Sequence, residues 1–282
     1  MKKVFLFIFC LLGFIDGYAQ SKKQPGIRVA SYNLRYDTPA DSLNAWPHRK
    51  ENVKALIQYH GFDIIGTQEG LHHQVKALAE LPGFAYFGAG RDDGKLAGEH
   101  SAILYKKDRF AMLDSGNFWL RETPAEPGKG WDADCCNRIC SWAKFSDKSS
   151  GKKFYVFNVH FDHRGVVARR ESGKLMLSKI KEIAKDAPVI CTGDFNSTPD
   201  TEQIKTLSSY LQDSYVTTQM PPYGPVGTFT AFKLAAPMKD RIDYVFLSKD
   251  FLVKKYAALT DVKERRYPSD HLPVVVDVEF VR

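Results

Sequence analysis

APVICTGDFNSTPD, residues Ala187 to Asp200, sets a short apolar run, Pro188-Val189-Ile190-Cys191, before a glycine and then delivers Asp194 and Asn196 two residues apart, with Phe195 between them. Four apolar or small residues followed by Gly and a Ser-Thr-Pro cluster read as a buried strand that leaves its sheet into a loop. Side chains alternate on an extended backbone, so Asp194 and Asn196 are expected on one face and Phe195 on the other. The segment brings a carboxylate and an amide together at the mouth of a sheet.

Other apolar runs end in the same way. Strands are expected over Ile27–Asn33, Ile64–Glu69, Ala102–Tyr105, Phe154–His160, Val189–Asp194, Tyr244–Leu247 and Val274–Phe280, and helices over Trp46–Tyr59, Gln74–Leu81 and Val166–Ala184. Strands alternating with helices imply sheets whose outer faces helices cover. Asn33 and Glu69 are polar acceptors just beyond apolar runs, and with Asp194 they offer oxygen ligands to one hard divalent cation. His160 and Asp162 lie two apart in YVFNVHFDHRG. Asp243 sits in an otherwise buried strand, where a carboxylate needs a partner, and His271, directly after Asp270, can supply one. A histidine held by a carboxylate serves as a general base, and a neighbouring cation stabilises a developing oxyanion.

The first nineteen residues stand apart. Lys2-Lys3, an apolar run from Val4 to Ile15 and the small-x-small end Gly17-Tyr18-Ala19 read as a signal peptide cut after Ala19. The run falls short of the about 20 apolar residues that span a bilayer. Removing it from 282 residues leaves 263, Gln20 to Arg282, expected as one secreted or periplasmic domain without stable membrane insertion, and a monomer. The leader carries one net positive charge, so the +7 of the whole chain becomes +6, a modest excess that helps an anionic substrate approach without implying nucleic acid. Cys135, Cys136, Cys140 and Cys191 remain. Adjacent Cys135 and Cys136 are not expected to bridge each other, so the readings are one bridge from Cys140 to either, or buried free thiols. CCNRIC lacks the second ligand pair of a metal site.

The ordered set Asn33, QE with Glu69, NVH with His160, GDFN with Asp194 and Asn196, RIDY with Asp243, and SDH with Asp270 and His271 resembles the endonuclease/exonuclease/phosphatase superfamily, in an exported bacterial branch. That resemblance implies a deoxyribonuclease I-like α/β (α+β) fold: a four-layer sandwich of two packed mixed β-sheets flanked by helices. It implies a Mg²⁺- or Mn²⁺-dependent phosphoric ester hydrolase with Glu69, Asn33 and Asp270 at the metal. His271, oriented by Asp243, and Asp194 would activate or position the attacking water, with the base role open between them. Asn196 would hold a phosphoryl oxygen, and His160 would contact the phosphate on the leaving side.

Fold alone does not select the substrate. The segments around Arg91 to Glu99, around Trp119 to Trp142 and around Trp46 and Arg49 are expected to shape a pocket or lid, with Arg91, Arg164 and Trp131 touching substrate. No long basic stripe interleaved with aromatics is present, which favours a small phosphodiester or phosphomonoester, a sugar or a lipid headgroup, over polymeric nucleic acid. A secreted nuclease acting on DNA or RNA is the alternative, and a noncatalytic phospho-ligand binder a distant one.

Overall fold

The computed structural model describes Met1 and residues 26–281; apart from Met1, the expected leader lies outside the described residues. The strands are β1 (Ile27–Asn33), β2 (Ile64–Gln68), β3 (Phe84–Phe87), β4 (Ile103–Lys106), β5 (Phe110–Trp119), β6 (Ile139–Asp147), β7 (Lys153–His160), β8 (Val189–Asp194), β9 (Gln212–Asp213), β10 (Asp243–Leu247), β11 (Phe251–Ala258) and β12 (Val274–Phe280). They form two six-stranded sheets, ordered β11-β12-β1-β2-β4-β3 and β5-β6-β7-β8-β10-β9. Each sheet has a single parallel pair near its middle, β1 with β2 and β7 with β8, and its other pairs are antiparallel.

The two sheets pack face to face through side chains such as Val29, Ile64, Phe145, Phe154, Ile190 and Val245, all fully buried. Each large apolar side chain so placed contributes about 1.5–3 kcal/mol. Helices α1 (Trp46–His60) and α2 (His72–Ala79) cover the outer face of the first sheet through Val53, Leu56, Ile57 and Leu78. Helix α3 (Val166–Ala184) covers the second, and α4 (Glu202–Ser208) packs beside it. Along α3, Ala168, Ser172, Met176, Ile180 and Ala184 recur every fourth residue and form its buried stripe. The result is the expected four-layer sandwich of two packed mixed sheets flanked by helices. Among the described residues, no helix is long and apolar enough to cross a membrane.

A polar layer separates the apolar core from the strand ends. Asn158 on β7 donates to the carbonyls of Thr67 and Ala102, and its Oδ1 accepts from Gln68 Nε2 at 2.7 Å and Thr192 Oγ1 at 2.9 Å. Gly66 makes this contact possible, because a Cβ there would lie 1.9 Å from Thr192 Oγ1.

Four expected elements match closely: β1, β8, β12 and α3 have the expected bounds. Elsewhere β2 stops at Gln68, leaving Glu69 outside the ladder in a left-handed conformation, φ 62°. The second sheet also extends further than expected, because β5 and β6 reach into the two ends of the Trp119 to Trp142 segment expected to shape a pocket or lid. Cys135 and Cys136 form a disulfide with each other, contrary to expectation. Cys140 is held away from them, buried on β6 in the core under α3, and Cys191 is likewise a buried free thiol. Burial pushes both thiols up, Cys191 to about 12, which leaves them inert.

Candidate active site

The parallel pairs decide where the site lies. Their carboxyl ends point the same way, so Asn33, paired with Gln68, and His160, paired with Asp194, reach one rim of the sandwich. Antiparallel β10 starts where β8 ends, and Asp243 pairs directly with Asp194. The loop entering β12 adds Asp270 and His271. Buried Arg49 ties this loop to the end of β1: its guanidinium donates to the carbonyls of Leu34, Arg35 and Pro268. Ser269 Oγ adds a bond to Asn33 O at 2.7 Å.

The opening motif makes its juxtaposition through a turn. Asn196 has φ 46°, and its backbone N–H donates to Asp194 Oδ1 at 2.9 Å, so a tight turn rather than strand alternation brings the two side chains together. Phe195 points into the core against Phe161, Tyr244 and Phe246. Positive φ in a residue other than glycine is sparsely populated, and both Glu69 and Asn196 hold it at this rim.

Asp194 Oδ2 accepts from Asn33 Nδ2 at 3.0 Å, and the same amide nitrogen donates to Glu69 Oε1 at 3.0 Å. Nε2 of His160 and Nε2 of His271 lie 3.5 and 3.7 Å from Asp194 Oδ2. Nδ1 of His271 bonds Asp243 Oδ2 at 2.9 Å, an oxygen that also accepts from Thr228 Oγ1 at 2.6 Å. Arg138, 4% exposed, donates to Nδ1 of His160 at 3.3 Å, to Nδ1 of His163 at 2.7 Å and to Asp162 Oδ2 at 3.2 Å.

The electrostatics follow from burial. Desolvation first, then the neighbouring Asp243, push Asp194 up to about 7. Burial likewise raises Asp270, with help from Glu69. For His271 burial opposes the charged form, yet Asp243, Asp194 and Asp270 together outweigh it and hold the imidazolium well above its ordinary range. His160 goes the other way: burial, then Arg138, Arg91, His271 and His163, push it well down, so its ring is neutral.

The donor set fits a hard divalent cation. Glu69, Asp194 and His271 each place a ligand atom within 4.8 Å of the others, and the crowded carboxylates are of the type that Mg²⁺ takes. One expected ligand needs a different orientation: Asn33 turns Nδ2 to the carboxylates, while its Oδ1 accepts from Arg35 N at 2.9 Å. A ligating oxygen would require the amide to rotate by half a turn. A second grouping, Cys135, Asp162 and His163, meets the same spacing, but Cys135 is in the disulfide and both side-chain partners bond Arg138.

These groups open into a cavity of about 490 Å³ whose wall includes Glu69, His160, Asp194, Asn196, Asp270 and His271. Of the expected substrate contacts, Arg91 lines it. Arg164 and Trp131 do not: the Arg164 side chain is 61% exposed beside Asp134, and the Trp131 ring packs on the core under α3. Trp46 and Trp119 are buried rather than set in a lid. Glu99 and Arg138, within segments expected to shape a pocket, also line the cavity, as do Tyr36 and Phe229, which no motif singled out.

The model of the Endonuclease/Exonuclease/phosphatase family matches residues 30–271. The solved structure of a Bacteroides thetaiotaomicron mannosyl-6-phosphatase superposes with a TM-score of 0.86 at 46% identity, covering 90% of this chain and 100% of that one. An uncharacterized protein of Acanthamoeba polyphaga mimivirus is 29% identical over 271 residues, 86% of this chain and 96% of its own length. Nocturnin of Drosophila melanogaster is 25% identical over 287 residues, and there the chain spans 43% of the relative's length. The chain belongs to the endonuclease/exonuclease/phosphatase family.

Proposed function

We propose that the protein is a divalent-metal-dependent phosphoesterase that releases phosphate from a small phosphorylated sugar. The observation that carries this reading is one charged cavity, in which the Glu69, Asp194 and His271 cluster faces a wall formed by Arg91, Glu99 and Arg138. The likeness to a mannosyl-6-phosphatase over nearly the whole chain supports the sugar class.

Glu69 and Asp270, with Asn33 after rotation of its amide, would hold Mg²⁺ or Mn²⁺. The bound ion would supply Lewis-acid polarisation of a phosphoryl oxygen and stabilise the charge that develops there. Asp243 fixes Nδ1 of His271, so that Nε2 faces Asp194 across 3.7 Å. Asp194 and the imidazolium of His271 orient the attacking water, and Asp194 takes its proton. Asn196 and neutral His160 contact the phosphoryl oxygens. His160 is held by Arg138 on Nδ1 at 3.3 Å, and its Nε2 lies 3.1 Å from Asn196 Nδ2 and 3.5 Å from Asp194 Oδ2. We further propose, on the leader pattern alone, that the mature chain from Gln20 acts outside the cytoplasm.

A parallel assay tests the reading: a chromogenic monoester, a chromogenic diester, a hexose 6-phosphate and a single-stranded oligonucleotide, each with Mg²⁺ or Mn²⁺ and with chelator. Chelator-sensitive release of phosphate from the hexose phosphate supports it. Cleavage of the oligonucleotide alone would replace it with a nuclease.

A further inference from the structure

We propose that Arg91 and Glu99 form a hydroxyl-reading subsite that selects a sugar ring as the alcohol part of the phosphoester; this rests on the phosphoesterase reading above. The two residues face each other across a turn in which Arg91 N donates to Glu99 O at 3.0 Å and Arg91 Nη1 donates to Glu99 Oε2 at 2.6 Å. Both side chains are largely shielded, 13% and 16% exposed, yet both line the cavity.

The turn is rigid and tied to the reacting centre. His100, next to Glu99, donates its N–H to Gly70 O at 2.9 Å, and Gly70 directly follows Glu69. Trp119 Nε1 donates to Arg91 O at 2.7 Å, and Asp93 Oδ1 accepts from Lys95 N at 2.7 Å and Ala97 N at 2.9 Å. Pre-set side chains lose little freedom when they meet a ligand, which is the condition for selective recognition.

The chemistry of this wall fits hydroxyls better than it fits a second phosphate or a base. Glu99 Oε2 lies 3.9 Å from Nδ1 of His160, and Arg91 and Glu99 line the same cavity as His160 and Asn196, which puts the pair within reach of the ester group of a phosphate held there. Paired with Arg91, the Glu99 carboxyl leaves no free cationic cradle of its own for a further phosphate. It accepts hydrogen bonds from hydroxyls, while the adjoining guanidinium donates to them. A nucleobase would ask for an aromatic face to stack on. Of the aromatic side chains of the lining other than imidazoles, the Tyr36 ring lies under the Arg35 guanidinium at 4.4 Å, and the Phe229 ring is 5.0 Å from that of His271.

Steady-state kinetics of the wild type, Glu99→Gln and Arg91→Met on mannose 6-phosphate and on phenyl phosphate test the subsite. In each variant kcat/KM for the sugar phosphate is expected to fall at least about tenfold further than for phenyl phosphate, mainly through KM. Equal losses on both substrates, or no loss on either, would overturn the subsite and leave the pair a structural brace. A wild type that releases phosphate from neither substrate would count against the phosphoesterase reading, so calorimetry on Asp194→Asn keeps the two apart. There mannose 6-phosphate is expected to bind at least about tenfold tighter than inorganic phosphate, and adding Glu99→Gln to erase the difference. Absence of that preference would overturn the subsite whatever the kinetics show.

Discussion

His271 and Asp243 are joined at 2.9 Å, Nδ1 to Oδ2, with Asp243 fully buried and Nε2 of the same ring turned toward Asp194. The carboxylate stabilises the imidazolium and fixes the ring plane. In Asp243→Asn the amide removes a negative charge without changing shape, so His271 should titrate closer to its ordinary value of about 6.5. Histidine-selective NMR on chelated protein should show that drop, and kcat should fall by about 10² to 10⁴.

His160 carries a pH dependence of stability of the opposite kind. The unfolded chain takes up a proton near pH 6.5 that the folded protein refuses, because burial and Arg138 hold the ring neutral. This contribution is full above about pH 6.5 and is lost as the pH falls, by about 1.4 kcal/mol per pH unit while the folded ring stays neutral. Urea denaturation in chelator at pH 7.5 and 5.5 should show a smaller loss in His160→Gln than in the wild type.

Crowded carboxylates at part-buried Glu69 and buried Asp194 and Asp270 favour a bound cation, so Mg²⁺ should raise the melting temperature. At a concentration 100 times the dissociation constant the gain is about 2.7 kcal/mol. A thermal-shift titration should give that gain for the wild type and a weaker apparent affinity for Glu69→Gln.

Gly66 is where the two sheets touch through polar groups. A methyl there meets Thr192 Oγ1 at 1.9 Å and Asn158 Oδ1 at 2.4 Å. Gly66→Ala should therefore destabilise by about 1–3 kcal/mol through overpacking, read as a lower urea midpoint. An unchanged midpoint would mean that the sheets can separate freely at this point.

The strands that end in polar residues were legible because hydrophobic burial and the polar tip are both written locally: Ile27–Asn33 and Val189–Asp194 are continuous in sequence and structure. Recurrence of such tips brought Asn33, Glu69, His160, Asp194, Asp243 and His271 into one reading, and the parallel pairs then assembled them at one rim. The strand Phe110–Trp119 was not legible, since Phe110, Phe118 and Trp119 at its two ends are its buried residues and no alternation joins them. Glu99 and Arg138 were legible only as members of segments expected to shape a pocket. Their roles depend on contacts with residues 8 to 25 positions away, which no local pattern records. Trp131 misled because an aromatic on a Gly-rich loop is as ready to pack on the core as to meet a ligand.

The most direct test is hydrolysis of mannose 6-phosphate in ¹⁸O-enriched water by the wild type and Asp194→Asn, with Mg²⁺ and with chelator, followed by mass spectrometry of both products. Attack by water at phosphorus places the label in the released phosphate and none in the sugar, with release lost in chelator and reduced by at least about 100-fold in the variant. Label in the sugar, or release that survives both chelator and Asp194→Asn, would contradict the account.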